Sequence, residues 1–189
     1  MTTFDLTRSP RWLAPLNTRH HRAALNVFMV VVIAHWAEHI AQAVQIYVLG
    51  WKVPDARGLL GLPFPWLIKS EWLHYGYALI MLVVLWALRY GFAGRSRQWW
   101  NLALGIQFWH HIEHFLLLIQ AQSGWRLTGG GAPSSIIQLF VPRVELHLFY
   151  NTIVTIPMIV AMVLHRRASA VEQALTDCSC GVKPTPVTV

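Results

Sequence analysis

Long apolar stretches that enclose histidines constrain this chain more than any other feature. Four such stretches can be read along the sequence, and they span residues 23–49, 65–90, 99–120 and 135–164. Each exceeds the roughly 20 residues that a helix needs to cross the hydrocarbon core of a bilayer. The sequence therefore predicts four transmembrane helices.

The composition argues against a soluble globular domain. Of the residues, 55% are hydrophobic and only 12% are charged, with a mean hydropathy of +0.43. Soluble domains carry about twice this share of charged residues. The net charge is +7, but the basic residues lie scattered at the ends of apolar runs and form no stripe that would suit nucleic acid. We expect membrane lipids, and no nucleic acid, as partners.

The distribution of basic residues predicts the orientation. Ten of the lysines and arginines near the span ends fall on one side and five on the other. The positive-inside rule then places both termini in the cytoplasm and the protein in the cytoplasmic membrane, as a multi-pass protein. The predicted segments are a basic N-terminal stretch (1–22), a first hairpin (23–90), a cytoplasmic loop (91–98), a second hairpin (99–167) and a disordered cytoplasmic tail (168–189).

The first and third apolar stretches carry the same polar residues at the same spacings. Asn26, His35, Glu38, His39 and Gln45 of the first stretch recur as Asn101, His110, Glu113, His114 and Gln120 of the third. The second and fourth stretches each carry a histidine followed three residues later by a tyrosine. We therefore predict an all-α integral membrane protein of two tandem-repeated helical hairpins, related by a pseudo-twofold axis along the membrane normal and forming a four-helix bundle.

Ionisable residues inside the spans predict a metal centre. Such residues are costly in a bilayer and usually serve a function. The histidines and glutamates of each repeat fall on one face of a helix with about 100° per residue. Imidazole suits iron, copper, zinc and nickel, while carboxylates favour harder ions and bridge two irons in four-helix bundles. The predicted ligands are His35, Glu38, His39, His74, His110, Glu113, His114 and His147.

The duplication predicts two metal ions, and the ligand chemistry favours iron or copper. The predicted ligand sets are His35, His39 and His74 for one ion and His110, His114 and His147 for the other. Glu38 and Glu113 are the predicted catalytic residues, which bridge the ions, relay protons or accept hydrogen bonds from the imidazoles. Two separate mononuclear sites are the alternative arrangement. The predicted activity is a non-haem dimetal oxidoreductase that acts on dioxygen, a quinol or a lipophilic substrate.

Other functions fit part of the same pattern. The density of histidines resembles that of the histidine boxes of membrane desaturases and hydroxylases, which bind two irons, although the doublet His110-His111 precedes the spacer here. The repeated HxxEH pattern also matches inverzincin zinc peptidases. A bis-histidine haem electron carrier needs only one histidine from each of two facing helices. Metal transport or delivery is a further alternative, and so is a role as one subunit of a larger membrane complex or a homo-oligomer.

Several residues near the span ends allow two readings. Glu71 is either a further ligand or a surface partner of a basic residue, and Arg143 either pairs with a glutamate or binds a lipid headgroup. Cys178 and Cys180 either bind copper or are incidental solvated thiols. His20, His21 and His165 are predicted to be flanking polar residues without a catalytic role.

Overall fold

A computed structural model of the chain describes residues 9–178 and 180, and this part is helical, without any strand. The helices are α1 (Ala14–Asn17), α2 (His21–Ala43), α3 (Pro65–Lys69), α4 (Trp72–Leu88), α5 (Gly94–Ser123), α6 (Arg143–Arg166) and α7 (Ala170–Ala174). A π-helical segment, Val44–Val48, continues α2. Short 3-10 turns lie at Arg11–Leu13, Arg89–Gly91 and Ile137–Leu139.

Four of these helices are long and apolar enough to cross a membrane, namely α2 with its π-helical extension, α4 with the following 3-10 turn, α5 and α6. This confirms the predicted number of helices of spanning length. Helix α2 packs against α4 and α6, and α5 packs against the same two helices, so the four form a ring. We call the end with residues 50–64 and 124–142 the loop end, and the opposite end, where the chain enters α2 and leaves α6, the terminal end.

Two long helices begin later than the sequence predicts. Helix α4 begins at Trp72 rather than near residue 65, because Glu71 has a φ of 61° and breaks the helical path after α3. Helix α6 begins at Arg143 rather than near residue 135, since Pro142 is its N-cap with extended backbone and disfavours a helical conformation for the residue before it. The third long helix, in contrast, begins earlier, at Gly94, and absorbs most of the predicted loop 91–98.

The bundle is apolar on its outside and partly polar on its inside. Large aliphatic side chains on α2 face outward, with Val27, Val30 and Ile33 being 67%, 66% and 62% exposed. The terminal half of the interior is an aliphatic and aromatic core around Trp100, whose indole N–H donates to the carbonyl of Leu85 at 2.8 Å. The loop half of the interior holds histidines instead. An apolar exterior of this extent is suited to lipid contact.

The chain after α6 packs back against the bundle. Ser169 and Glu172 form a capping box at the start of α7, and the Glu172 carboxylate also accepts from the backbone N–H of Arg95 at 3.3 Å. Because these backbone groups donate to it, the pKa of Glu172 is lowered. The segment predicted to be disordered, 168–189, thus contains a short helix, while its residues 179 and 181–189 lie outside the described part.

Candidate functional site

Six of the predicted ligands meet inside the bundle. They form what we call the histidine cluster, which consists of His35 and His39 on α2, His74 on α4, His110 and His114 on α5, and His147 on α6. All six side chains are buried, with residue exposures between 1% and 5%. The cluster lies near the loop end, because His74 is the third residue of α4 and His147 the fifth of α6, within about 6 Å of the helix starts.

The imidazole rings touch across all four helices. The ring centroids of His39 and His147 are 4.8 Å apart, those of His39 and His74 5.7 Å, and those of His74 and His114 6.0 Å. Within α5, His110 and His114 are 4.4 Å apart. Histidines assigned from the sequence to two different ions therefore lie in one continuous cluster.

Every histidine of the cluster has a buried ring nitrogen without a hydrogen-bond partner. These nitrogens are Nδ1 of His35, His74, His110 and His114, and Nε2 of His39 and His147. A buried polar atom without a partner costs free energy, and native proteins hold few of them. Six such atoms in one cluster make it a candidate site for a ligand.

Two of the histidines are held in the tautomer that a metal ligand needs. Nδ1 of His39 lies 3.1 Å from Oε1 of Gln42, and Nδ1 of His147 lies 2.6 Å from the carbonyl oxygen of Arg143. Since these oxygens only accept hydrogen bonds, Nδ1 carries the proton in both rings and Nε2 keeps its lone pair. Fixing a ligand through its other nitrogen in this way is typical of metal-binding histidines.

On α5, two histidines one helical turn apart direct ring nitrogens at each other. Nε2 of His110 and Nε2 of His114 are 3.1 Å apart, so one ring donates its proton to the other. A metal ion could replace that shared proton while both rings stay on the same helix face. In such a chelate Nε2 would be the ligand atom of both rings, and the unpartnered Nδ1 atoms would carry the protons.

The two predicted catalytic glutamates bind backbone at the loop end. The Glu38 carboxylate accepts from the N–H groups of Leu59 and Leu60 at 2.5 and 2.7 Å, and Glu113 accepts from Ile137 at 2.9 Å. Oε2 of Glu113 has no partner. Both glutamates thus hold loops over the histidine cluster. The bridging and proton-relay roles stay predictions, with Glu113 retaining a free carboxylate oxygen for them.

Replacing Glu38 by glutamine will loosen the loop at 50–64. An amide presents only one oxygen, so at least one of the two backbone N–H groups loses its acceptor, at a cost of about 2 kcal/mol. We expect trypsin to cleave after Lys52 or Arg57 about tenfold faster or more, measured by mass spectrometry in detergent. Glu172→Gln, at the terminal end, is the control, and equal cleavage rates in both variants would contradict this role of Glu38.

Glu71 pairs with Arg143 beside the cluster, which is one of the two interpretations left open for Arg143. The guanidinium donates from both terminal nitrogens to the two oxygens of the buried carboxylate, one of them at 2.7 Å. Oε2 of Glu71 also lies 3.5 Å from Nδ1 of His74. Although burial raises the pKa of Glu71, the Arg143 charge and these hydrogen bonds outweigh it and lower the pKa to about 2.

A second group of metal-ligand side chains lies at the terminal end. It consists of His21 at the start of α2, His165 in the last turn of α6, Cys178 and Cys180, and we call it the cysteine–histidine site. One ligand atom from each residue lies within 4.8 Å of the others. The Cys178 sulfur is 3.0 Å from Nδ1 of His21 and 3.1 Å from Nε2 of His165.

Sequence reasoning missed this site. His21 and His165, predicted to be flanking polar residues, are buried, with exposures of 0% and 6%, and the two thiols are only partly exposed. The sequence did contain a signal for this site. The two histidines lie at the ends of the first and last predicted spans, on the predicted cytoplasmic side, and the cysteine-bearing tail is predicted to lie on the same side. A hydrogen bond from the Cys178 thiol lowers the pKa of Cys180 despite burial.

Comparison with known proteins gives no relative for this chain. No family model matches it, and neither do any curated protein or any solved structure. The functional argument therefore depends on the two groups of side chains alone.

Proposed function

We propose that this chain is an integral protein of the cytoplasmic membrane that holds two iron or copper ions in the histidine cluster and acts as a non-haem oxidoreductase on a lipophilic substrate, a quinol or dioxygen. The observation that carries the proposal is the unpartnered buried nitrogen on each of the six clustered imidazoles. Nδ1 of His74 lies 3.5 Å from Oε2 of Glu71, whereas the other five nitrogens have no hydrogen-bond partner among the described residues, and atoms that bind a metal ion are expected to lack other protein partners.

The donor set fits the proposed ions. Neutral imidazole binds iron and copper well, and six nitrogens leave open positions when shared by two ions. A bound pair of ions would supply electrons and Lewis acidity for oxygen chemistry. In the oxidation of a quinol, two quinol molecules each release two electrons and two protons, and one dioxygen molecule takes up all of them to form two water molecules.

The chain itself orients the ligands and controls access. Gln42 and the Arg143 carbonyl fix the rings of His39 and His147, and the two glutamates hold the loops over the cluster from the loop end. Excluding water in this way protects reactive species and strengthens interactions inside the site. The apolar outer faces of the helices leave the surrounding lipid as the source of a lipophilic substrate.

Matching contacts in the two halves support the tandem hairpin arrangement. The Gln45 side chain bonds both backbone groups of Gly58, at 2.9 and 3.1 Å. At the corresponding position, Gln120 donates to the carbonyl of Ser134 at 2.7 Å and accepts from its N–H at 3.3 Å. Glu38 and Glu113 also hold the loops that follow their own helices. Equivalent residues thus make equivalent contacts, as expected after duplication of one hairpin.

A haem carrier fits the packing less well than metal ions do. A haem between facing histidines needs a flat gap wider than a porphyrin, but rings such as His39 and His147 are stacked in direct contact. The cavity beside His110, Glu113 and His114 is too small to hold even a water molecule. A metal ion needs only small rotations of the imidazoles, whereas haem needs several of them to be displaced.

Elemental analysis and visible spectroscopy of the protein purified from native membranes test this function. We expect about two equivalents of iron or copper per chain, no Soret band, and oxygen uptake with a lipophilic quinol. His114→Ala should lose metal and uptake, since His114 contacts three other rings of the cluster. The neighbouring His111→Gln should keep both, because His111 contacts Tyr75 and Phe115 instead.

The alternatives give different results. A Soret band in the wild type would assign a haem carrier and overturn the dimetal proposal. Metal that exchanges freely and crosses the membrane of reconstituted vesicles, without oxygen uptake, would assign transport. Normal uptake in His114→Ala would exclude the cluster as the reaction centre.

A further inference from the structure

We propose that the cysteine–histidine site is a second metal centre, a closed tetrahedral site for Zn²⁺ that fixes the segment after α7 to the ends of α2 and α6. It differs from the histidine cluster in place, in ligand chemistry and in role. Its ligands are Nδ1 of His21, Nε2 of His165, and the sulfurs of Cys178 and Cys180.

The four donors have the composition of a structural zinc site. Two thiolates and two imidazoles are a common ligand set for zinc, which is almost always four-coordinate and tetrahedral in such sites. Two sulfur and two nitrogen donors also disfavour the harder ions that suit carboxylates. Ligand atoms that all lie within 4.8 Å of one another need only small movements to surround one ion.

The histidines are oriented for this ion by the surrounding fold. Nε2 of His21 bonds the carbonyl oxygen of Leu88 at 3.2 Å, so Nε2 carries the proton and Nδ1 keeps the lone pair that faces the thiols. The ring also packs edge-on against Phe92, with centroids 5.1 Å apart. At Gly91 a Cβ atom would lie 2.4 Å from Nε2 of His21, so a glycine allows this close approach.

The site has a route by which an ion can enter. A cavity of about 520 Å³ reaches the site from the terminal end and is lined by Cys178 and His165 together with Ser96, Glu172 and Asp177. Zinc would reach the thiols through this cavity without passing through the bundle.

The two centres are too far apart to share an ion. His21 and His35 are 14 residues apart on α2, or about 21 Å at 1.5 Å per residue. The aliphatic core around Trp100 fills the space between them. Zinc binding at the terminal end and metal binding in the histidine cluster can therefore be measured, and can fail, independently.

Cobalt titration of the full-length, detergent-purified and reduced protein tests the site. The chain has only two cysteines, so thiolate-to-cobalt charge-transfer absorption reports this site alone, and intense visible bands report tetrahedral geometry. We expect both signals to saturate at about one equivalent of Co²⁺ and to disappear when Zn²⁺ is added. Bound Zn²⁺ should also slow alkylation of both thiols by tenfold or more.

Matched variants locate the ligands. Cys178→Ser with Cys180→Ser should abolish the charge-transfer absorption, and His21→Gln should weaken cobalt binding at least tenfold, whereas His20→Gln, one residue away and exposed, should leave it unchanged. His39→Gln in the histidine cluster should also leave it unchanged. Absence of charge-transfer absorption in the reduced wild type, or octahedral bands in place of tetrahedral ones, would overturn the proposal. Because both cysteines lie after the four long helices, the cysteine variant changes no residue of those helices, and the test does not depend on the folding of His21→Gln.

Discussion

Either His39→Gln or His147→Gln should remove most of the iron or copper from the purified protein and abolish oxygen uptake. Each ring offers a free Nε2 at the centre of the cluster, and each contacts at least three other histidine rings. Glutamine is similar in size and keeps a hydrogen-bonding group, but it is a far poorer ligand for these metals than imidazole. Metal content per chain by elemental analysis measures the effect.

A milder variant tests whether orientation of the ring matters. Gln42→Leu removes the acceptor for Nδ1 of His39 and should weaken metal affinity about 10- to 100-fold while His39 itself remains. Gln98→Leu, which is exposed and far along the chain from the cluster, is the control. Unchanged affinity in Gln42→Leu, together with full metal in His39→Gln, would show that His39 is not a ligand.

The second large effect is expected from Glu71→Gln. Removing the charge leaves Arg143 without its buried partner, which typically costs 3–5 kcal/mol. Because the Arg143 side chain is 31% exposed and partly screened by water, we expect a smaller loss than this, about 2–3 kcal/mol of unfolding free energy. Denaturation in detergent micelles measures the change. In the double variant with Arg143→Gln the loss should be smaller than the sum of the two single losses.

The pH dependence of this pair follows from the lowered pKa of Glu71. A carboxyl group whose pKa is lower in the folded state stabilises the fold above its unfolded pKa, and the stabilisation disappears as the pH falls toward the folded pKa. The difference in stability between wild type and Glu71→Gln should be constant between about pH 5 and 8 and shrink below about pH 4.5, toward the folded pKa of about 2. A difference that shrinks between pH 8 and 6 would contradict this account.

The four long helices and the convergence of six histidines were predictable from the sequence. Apolar length determines a spanning helix, and helical periodicity places His35 and His39, one turn apart, on the same face. Matching residues in the two halves indicated which helices correspond. These are local or periodic signals, so they could be read without knowing how the helices pack.

The contacts of the glutamates, the mixing of the two histidine sets and the cysteine–histidine site could not be predicted, because they depend on tertiary contacts that a local sequence pattern does not indicate. Periodicity placed Glu38 on the face of the histidines, but the loop after its own helix presents two backbone N–H groups, and the Glu38 carboxylate accepts hydrogen bonds from both. The prediction of one ligand set per hairpin followed the sequence repeat. In the structure α2 packs against α6, so His39 of one predicted set contacts His147 of the other. His21 and Cys178 are 157 positions apart, and a contact at that separation leaves no trace in the spacing of nearby residues.

The position of His147 determines when the histidine cluster can exist during synthesis. Its ring contacts His39, His74, His110 and His114, which are on the three preceding long helices, and it is contributed by the last long helix to leave the ribosome. A nascent chain that ends before residue 143 thus lacks the ring that contacts histidines of all three preceding long helices. If the cluster binds metal as proposed, its complete ligand set exists only after α6 has been synthesised and packed.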